Sequence, residues 1–145
     1  CRSGLPRYDS LQPLYNLYER SAFEAELGPL CVQRGVGAIT YFSLASGFLT
    51  GKYRSQQDLV GRARAPRVER YLTARGTAIL NALDGLASAH ASTPASVALA
   101  WLMGRPGVTA PIASATSSTQ LQALVAAASL KLDAAAVQRL DQASG

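Results

Sequence analysis

Ile39-Thr40-Tyr41-Phe42-Ser43-Leu44-Ala45-Ser46-Gly47-Phe48-Leu49-Thr50-Gly51-Lys52-Tyr53 reads as a buried strand that opens into a loop of small residues and closes on a lysine. Such a loop can admit a phosphate. Gly47 and Gly51 let backbone approach a ligand with no Cβ in the way, Ser43, Ser46 and Thr50 carry hydroxyl donors, and Lys52 adds a compact positive charge. Strand-to-loop transitions with Gly and Ser also occur without any ligand, so composition alone leaves both readings open.

Outward from this run, short apolar stretches alternate with helical periodicities, which signals an α/β chain. Upstream, Leu11 to Leu17 is a short apolar run expected as a strand. Ser21-Ala22-Phe23-Glu24 has the form of a capping box and predicts a helix start at Ser21. Gly28-Pro29 interrupts that helix, because an interior proline removes an amide bond at a cost of about 3 kcal/mol; a kink, or a restart with Pro29 in a first turn, is expected. Val36 to Tyr41 is the next strand.

Downstream, Phe42 to about Arg67 is read as a long loop, too polar and too rich in Gly, Arg and Gln to be core. From Val68, the positions Leu72, Ile79, Leu80, Leu83, Leu86 and Ala87 recur at three and four residues and predict a helix buried on one face through about Ala89. Thr93 caps the next helix with Pro94 at its first position, and Gly104, Pro106 and Gly107 end it. Val108 to Ala113 is a strand, Ser118 to Ala128 a helix with Leu121, Leu124 and Val125 inward, and Asp133 caps a final helix carrying Val137 and Leu140.

The chain is 48% hydrophobic and 16% charged, with no apolar run long enough to cross a bilayer and no N-terminal signal of the charged-then-apolar kind. Cys1 and Cys31 form no metal or redox spacing, and Cys31 sits among apolar residues as an ordinary buried thiol, so a reducing cytoplasm is the default and no metal is expected. His90, the only histidine, falls near a helix end, where it suits a last-turn residue facing the helix dipole.

The net charge of +5 is unevenly placed: Lys52, Arg54, Arg62, Arg64, Arg67, Arg70 and Arg75 are half of the 14 basic residues, opposed locally only by Asp58 and Glu69. Three readings stand: a solvated loop, a nucleic-acid patch and a phosphate clamp. The stretch has only Tyr53 and Tyr71 as interleaved aromatics and matches no nucleic-acid motif. A second anion-favouring place is Ser114-Ala115-Thr116-Ser117-Ser118-Thr119-Gln120, five hydroxyls around a helix N-terminus with free amides. Ser117 with Gln120 also fits plain capping.

Tyr41 through Tyr53 resembles the loop after the seventh strand of the aldo/keto reductases, nearest the branch that includes the potassium-channel β subunits. Leu11 to Leu17 looks like that family's sixth strand, Thr93 to Leu102 like its seventh helix, and Pro111 to Ser117 like its eighth strand and following loop. Four blocks in the family's order cover nearly the whole chain. The resemblance implies an α/β fold that is the C-terminal portion, about strands six to eight with their helices, of a (β/α)8 TIM barrel, with residues 1–145 forming one partial domain and no second domain. Length agrees: 145 residues fall well short of the roughly 250 of a closed barrel, and the chain opens on Cys1 rather than Met.

By the same resemblance the parent protein is an NAD(P)H-dependent oxidoreductase that reduces aldehyde or ketone carbonyls. The family's catalytic Asp, Tyr, Lys and His lie on the first four strands, so no catalytic residue is expected here, and the fragment alone should not turn over. The implied cofactor-binding set is Gln12, Tyr41, Phe42, Ser43, Leu44, Ser46, Lys52, Arg62, Ser114, Thr116 and Gln120. Within it, Gln12 bonds the nicotinamide carboxamide, Tyr41 stacks on the nicotinamide, Lys52 contacts the pyrophosphate and Arg62, with Arg64 as a near substitute, reaches the adenosine end. Ser114, Thr116 and Gln120 hold the ribose and 2′-phosphate.

This chain departs from the family in two places: no Lys or Arg stands in the Ser114–Gln120 loop, and Ala123 and Leu124 replace the Glu-Asn pair that often holds the adenine. NADP is the expected cofactor, with NAD remaining open. The expected partner is a small carbonyl substrate, without nucleic acid or membrane. The alternative function is a non-catalytic nicotinamide-nucleotide-binding regulator of the same fold, and a third reading is salt-sensitive nucleic-acid binding through the arginine loop.

Overall fold

A proline decides how the first strand pairs. In the computed structural model, which describes residues 6–145 and so leaves Cys1 outside the described residues, Ser10–Leu11 (β1) runs parallel to Gly37–Thr40 (β2), Ser10 opposite Gly37 and Leu11 opposite Ala38. Pro13 has no amide to give, so the ladder breaks and resumes as one bridge from Leu14 to Tyr41. The expected strand from Leu11 to Leu17 is therefore shorter and starts one residue earlier. β2 pairs on its other side with Val108–Pro111 (β3), giving a parallel sheet in the order β1-β2-β3. A bulge shifts the register between Ala38 and Ile39, whose partners are Val108 and Ala110. The architecture is α/β, and a small parallel sheet with helical connections is consistent with part of a barrel wall.

The first helix starts at Ser21, but not through the expected box. Glu24 accepts the Tyr15 hydroxyl at 2.6 Å and the Arg20 guanidinium at 3.0 and 3.1 Å. A charged partner and a buried phenol hold that carboxylate more strongly than an exposed backbone amide would. Pro29 is absorbed by a π-turn over Phe23–Leu27, closed by the Gly28 amide on the Phe23 carbonyl, after which Gly28–Arg34 (α1) continues with Pro29 in its first turn.

The segment 42–67, expected to lie outside the core, contributes to it. Phe48 and Leu49 are completely buried, with Tyr53 and Leu59 close behind. Each such side chain contributes about 2 kcal/mol by burial, and the polar residues between them obscure this in the sequence. Phe48 stacks on Tyr71 at 5.4 Å between centroids, and Tyr18 meets both rings edge-on.

The helix expected from Val68 is also divided. Ala65–Val68 (α2) passes into a 3-10 turn over Glu69–Tyr71, and the long helix Ala74–Ala89 (α3) begins only after Thr73, whose hydroxyl accepts the Gly76 amide at 3.0 Å. A Cβ at residue 76 would collide with the Tyr71 carbonyl and lie 2.9 Å from Phe48 Cζ, so the chain must turn here and only glycine fits.

Thr93 caps Pro94–Met103 (α4), which ends at Gly104 as expected. Ser118–Ala127 (α5) starts at the Ser117 cap and Ala134–Ser144 (α6) at the Asp133 cap. His90 closes α3. The inward face of α5 differs from expectation: Leu121 and Val125 are exposed, while Ala127 is buried and Leu124 partly so. The Ser96 hydroxyl donates to the Ala123 carbonyl at 2.8 Å, a bond that ties α4 to α5 on the side of Ala127.

Trp101 anchors the helical layer, 1% exposed, its indole N–H on Asp141 at 3.0 Å and the Arg20 and Arg105 guanidinium groups over its ring at 5.0 and 4.9 Å. Among the described residues no helix is long and apolar enough to cross a membrane, and no cluster of His, Cys, Asp or Glu could hold a metal.

Candidate functional site

β2 ends at Thr40, and the chain leaves extended geometry within two residues. Phe42, Ala45 and Ser46 take left-handed φ values of 55°, 48° and 58°. Side chains with a Cβ adopt this region at a cost of about 1 kcal/mol or more each, so the surroundings must impose it. The Asn16 amide donates to the Phe42 carbonyl at 3.0 Å, the Ser43 hydroxyl to the Thr40 carbonyl at 3.1 Å and the Thr50 hydroxyl to the Gly47 carbonyl at 2.7 Å. Ser43 and Thr50, read from sequence as ligand donors, thus use their hydroxyls to hold the loop; Ser46 makes no such bond.

This loop forms one wall of a pocket of about 580 Å³ at the C-terminal ends of β2 and β3, within the size range of small-molecule sites. Tyr41, Phe42, Ser43, Leu44, Ser46 and Lys52 lie on it, and Ser114 and Gln120 face them from the end of β3 and the first turn of α5. Thr93 and Ala95, from the start of α4, also line it. Three members of the expected set do not. Gln12 is exposed just after β1, Arg62 is exposed two residues before Arg64, and Thr116 directs its amide and hydroxyl at Gln120 Oε1, 2.9 and 3.1 Å away. The Gln120 side chain therefore closes the turn against Thr116 rather than against the Ser117 amide of a full capping box.

The structure divides the basic run by role. Arg54 pairs with Asp84 at 2.8 Å, Arg70 with Glu19 at 2.6 Å, and Arg75 donates to the Ser144 and Tyr18 carbonyls. Lys52, Arg64 and Arg67 line the pocket, have no carboxylate partner among the described residues, and share the wall with no Asp or Glu. Cations without carboxylates beside them on a partly apolar lining favour an anion. The lining carries no His, Cys or carboxylate; its ionisable side chains are Tyr41, Lys52, Arg64 and Arg67.

Two residues outside the expected set shape the pocket, one of them, Arg67, named in the sequence only as part of the basic run. Arg67 stands one helical turn from Arg64, a spacing that places both on one face. Asn16 is completely buried, a polar residue inside an apolar run, and that is its signal. Arg64, considered only as a substitute, takes the wall position expected of Arg62.

The aldo/keto reductase family profile matches residues 2–144. The chain is 34% identical over 116 residues to a probable voltage-gated potassium channel subunit beta of Arabidopsis thaliana, covering 77% of this chain and 35% of that protein. It is 31% identical over 133 residues to Protein tas of Escherichia coli, covering 90% and 38%. In fold it resembles a thermostable aldo-keto reductase crystallised with the inhibitor epalrestat, at a TM-score of 0.66 and 23% identity, covering 92% of this chain and 39% of that one. The chain spans well under half the length of these relatives. A profile match over nearly all of the sequence, joined to a parallel α/β sheet of the same fold, makes this chain a member of the aldo/keto reductase family.

Proposed function

We propose that the chain is the cofactor-binding part of an NAD(P)H-dependent oxidoreductase that reduces aldehyde or ketone carbonyls to alcohols by hydride transfer, and that β1, β2 and β3 are the sixth to eighth strands of its barrel. The observation that carries this reading is the pocket at the strand C-termini, where Lys52, Arg64 and Arg67 stand without carboxylates beside the strained loop 42–47. Barrel enzymes bind substrates and phosphates at that face. In this reading Lys52 takes the pyrophosphate, with Arg64 and Arg67 in place of Arg62 toward the adenosine phosphates. Tyr41 stacks on the nicotinamide, Ser114 and Gln120 hold the adenosine end from the wall, and Gln12 and Thr116, off the lining, meet the nicotinamide amide and the adenosine end from outside it. The cofactor supplies the hydride when bound; the proton donor comes from strands outside this chain.

A second reading, a nicotinamide-nucleotide-binding regulator, is supported by the likeness to a channel β subunit. Titration of the intact protein with NADPH and NADH by fluorescence, followed by an aldehyde panel, tests both. Binding with nucleotide oxidation supports the reductase, binding without turnover the regulator, and failure to bind either nucleotide would sink both.

A further inference from the structure

The turn after β1 and the basic segment after β2 meet on one carboxylate. Glu19 Oε2 accepts the Asn16 amide at 2.9 Å and the Tyr71 hydroxyl at 3.0 Å, and Oε1 accepts Arg70 at 2.6 Å. Asn16 is the link to the pocket. Its Nδ2 also donates to the Phe42 carbonyl at 3.0 Å, while its Oδ1 accepts the Tyr18 and Glu19 amides at 2.8 and 2.9 Å, so both donors and both acceptor sites are engaged. Phe42 is where the left-handed loop begins.

On the other side, Arg70 donates to the Tyr71 hydroxyl at 2.7 Å and lies over its ring. Tyr71 is buried, and the chain leads back from it through the 3-10 turn into α2 and the two arginines of the pocket wall.

We infer that Glu19, which does not touch the pocket, is a positioning residue for it: through Asn16 it fixes the strained wall at Phe42, and through Tyr71 and Arg70 it fixes the cationic wall carrying Arg64 and Arg67. The spacing between the walls is then set before an anion arrives, which lowers the ordering cost of binding. The inference rests on the pocket being a nucleotide-phosphate site. Neither Glu19 nor Asn16 belongs to the set that the family resemblance marks.

The test compares Glu19→Gln and Tyr71→Phe with the unaltered intact protein. It measures NADPH and inorganic pyrophosphate affinity over a range of salt, amide hydrogen exchange of residues 64–71, and thermal melting. A glutamine offers one acceptor where Asn16, Tyr71 and Arg70 need two, so Glu19→Gln should weaken NADPH binding about tenfold. It should also flatten the salt dependence, as Arg64 and Arg67 lose their placement, and speed exchange selectively in 64–71. Tyr71→Phe should do the same more weakly, and decides the matter if Glu19→Gln does not fold. Affinity and exchange unchanged in both variants would overturn the inference. So would weaker binding with an unchanged salt slope and exchange raised uniformly along the chain, which is the signature of general destabilisation. If the unaltered protein binds neither probe, the nucleotide reading fails, and the exchange comparison still decides whether Glu19 holds the wall.

Discussion

Gly47 lies beneath the Lys52 side chain: a Cβ at residue 47 would stand 3.3 Å from Lys52 Cε and 3.4 Å from Nζ. Its φ of 96° is one that residues with a Cβ rarely adopt. Gly47→Ala should therefore lower stability by about 1 kcal/mol and also push the ammonium off its place, weakening NADPH several-fold. Gly61→Ala is the control, since Gly61 has a φ of 71° but a Cβ there would meet nothing within 4 Å. It should show the conformational cost with no loss of affinity. Equal affinity in the two variants, read by denaturation and nucleotide titration, would show that Lys52 placement does not matter.

Lys52→Ala should weaken NADPH about tenfold with little change in fold, because the exposed ammonium has no ion-pair partner among the described residues and gives up only its place over the Tyr53 ring, 5.0 Å from the centroid. Arg62→Ala, outside the pocket lining, should leave affinity unchanged. Fluorescence titration separates the two, and the reverse order would return Arg62 to the site and remove Lys52 from it.

Regular elements with local signals are legible in the sequence: Thr93-Pro94 and Asp133 announce their helices because a cap and a first turn are decided by neighbouring residues. What is not legible depends on distant partners. The Glu24 carboxylate reads as the partner of a backbone amide because, although Arg20 stands one helical turn away, nothing local shows that the Tyr15 hydroxyl also reaches it. Phe48 looks like a loop residue because its burial is against Tyr71, Tyr18 and the first turn of α3, which the sequence places far away. On the pocket lining, the small-residue loop and Lys52 can be read directly, whereas the presence of Arg64 and Arg67 there, and not Arg62, depends on where α2 lies.

Stability should fall at alkaline pH. Burial, the largest cause, pushes the Tyr71 hydroxyl up to about 12, and burial followed by the hydrogen bond to Glu24 raises Tyr15 as well. Below a pH of about 10 both tyrosines are protonated in folded and unfolded chains alike; above it the unfolded chain releases protons that the folded one retains, so the unfolded state gains. Denaturant midpoints should therefore decline from about pH 10 upward, and less steeply in Tyr71→Phe, which removes one of the two groups. A flat profile to about pH 12 would mean that the buried tyrosines ionise as readily in the fold as out of it.

Tyr41 offers the sharpest separation of a positioning role from a structural one. Its backbone is held on both sides, the amide by the Pro13 carbonyl at 3.0 Å and the carbonyl by the Tyr15 amide at 3.5 Å, so strand pairing does not need the ring. Tyr41 is 37% exposed on the pocket wall, and its ring lies 5.4 Å from that of Phe42 between centroids. If it stacks on the nicotinamide, Tyr41→Ala should weaken NADPH about tenfold, the scale of one aromatic stack, and leave 2′,5′-ADP, which has no nicotinamide, nearly unchanged. Equal losses for the two ligands would mean that the ring supports the loop and not the cofactor, and the orientation of nicotinamide would then have to come from Gln12 or from residues outside this chain.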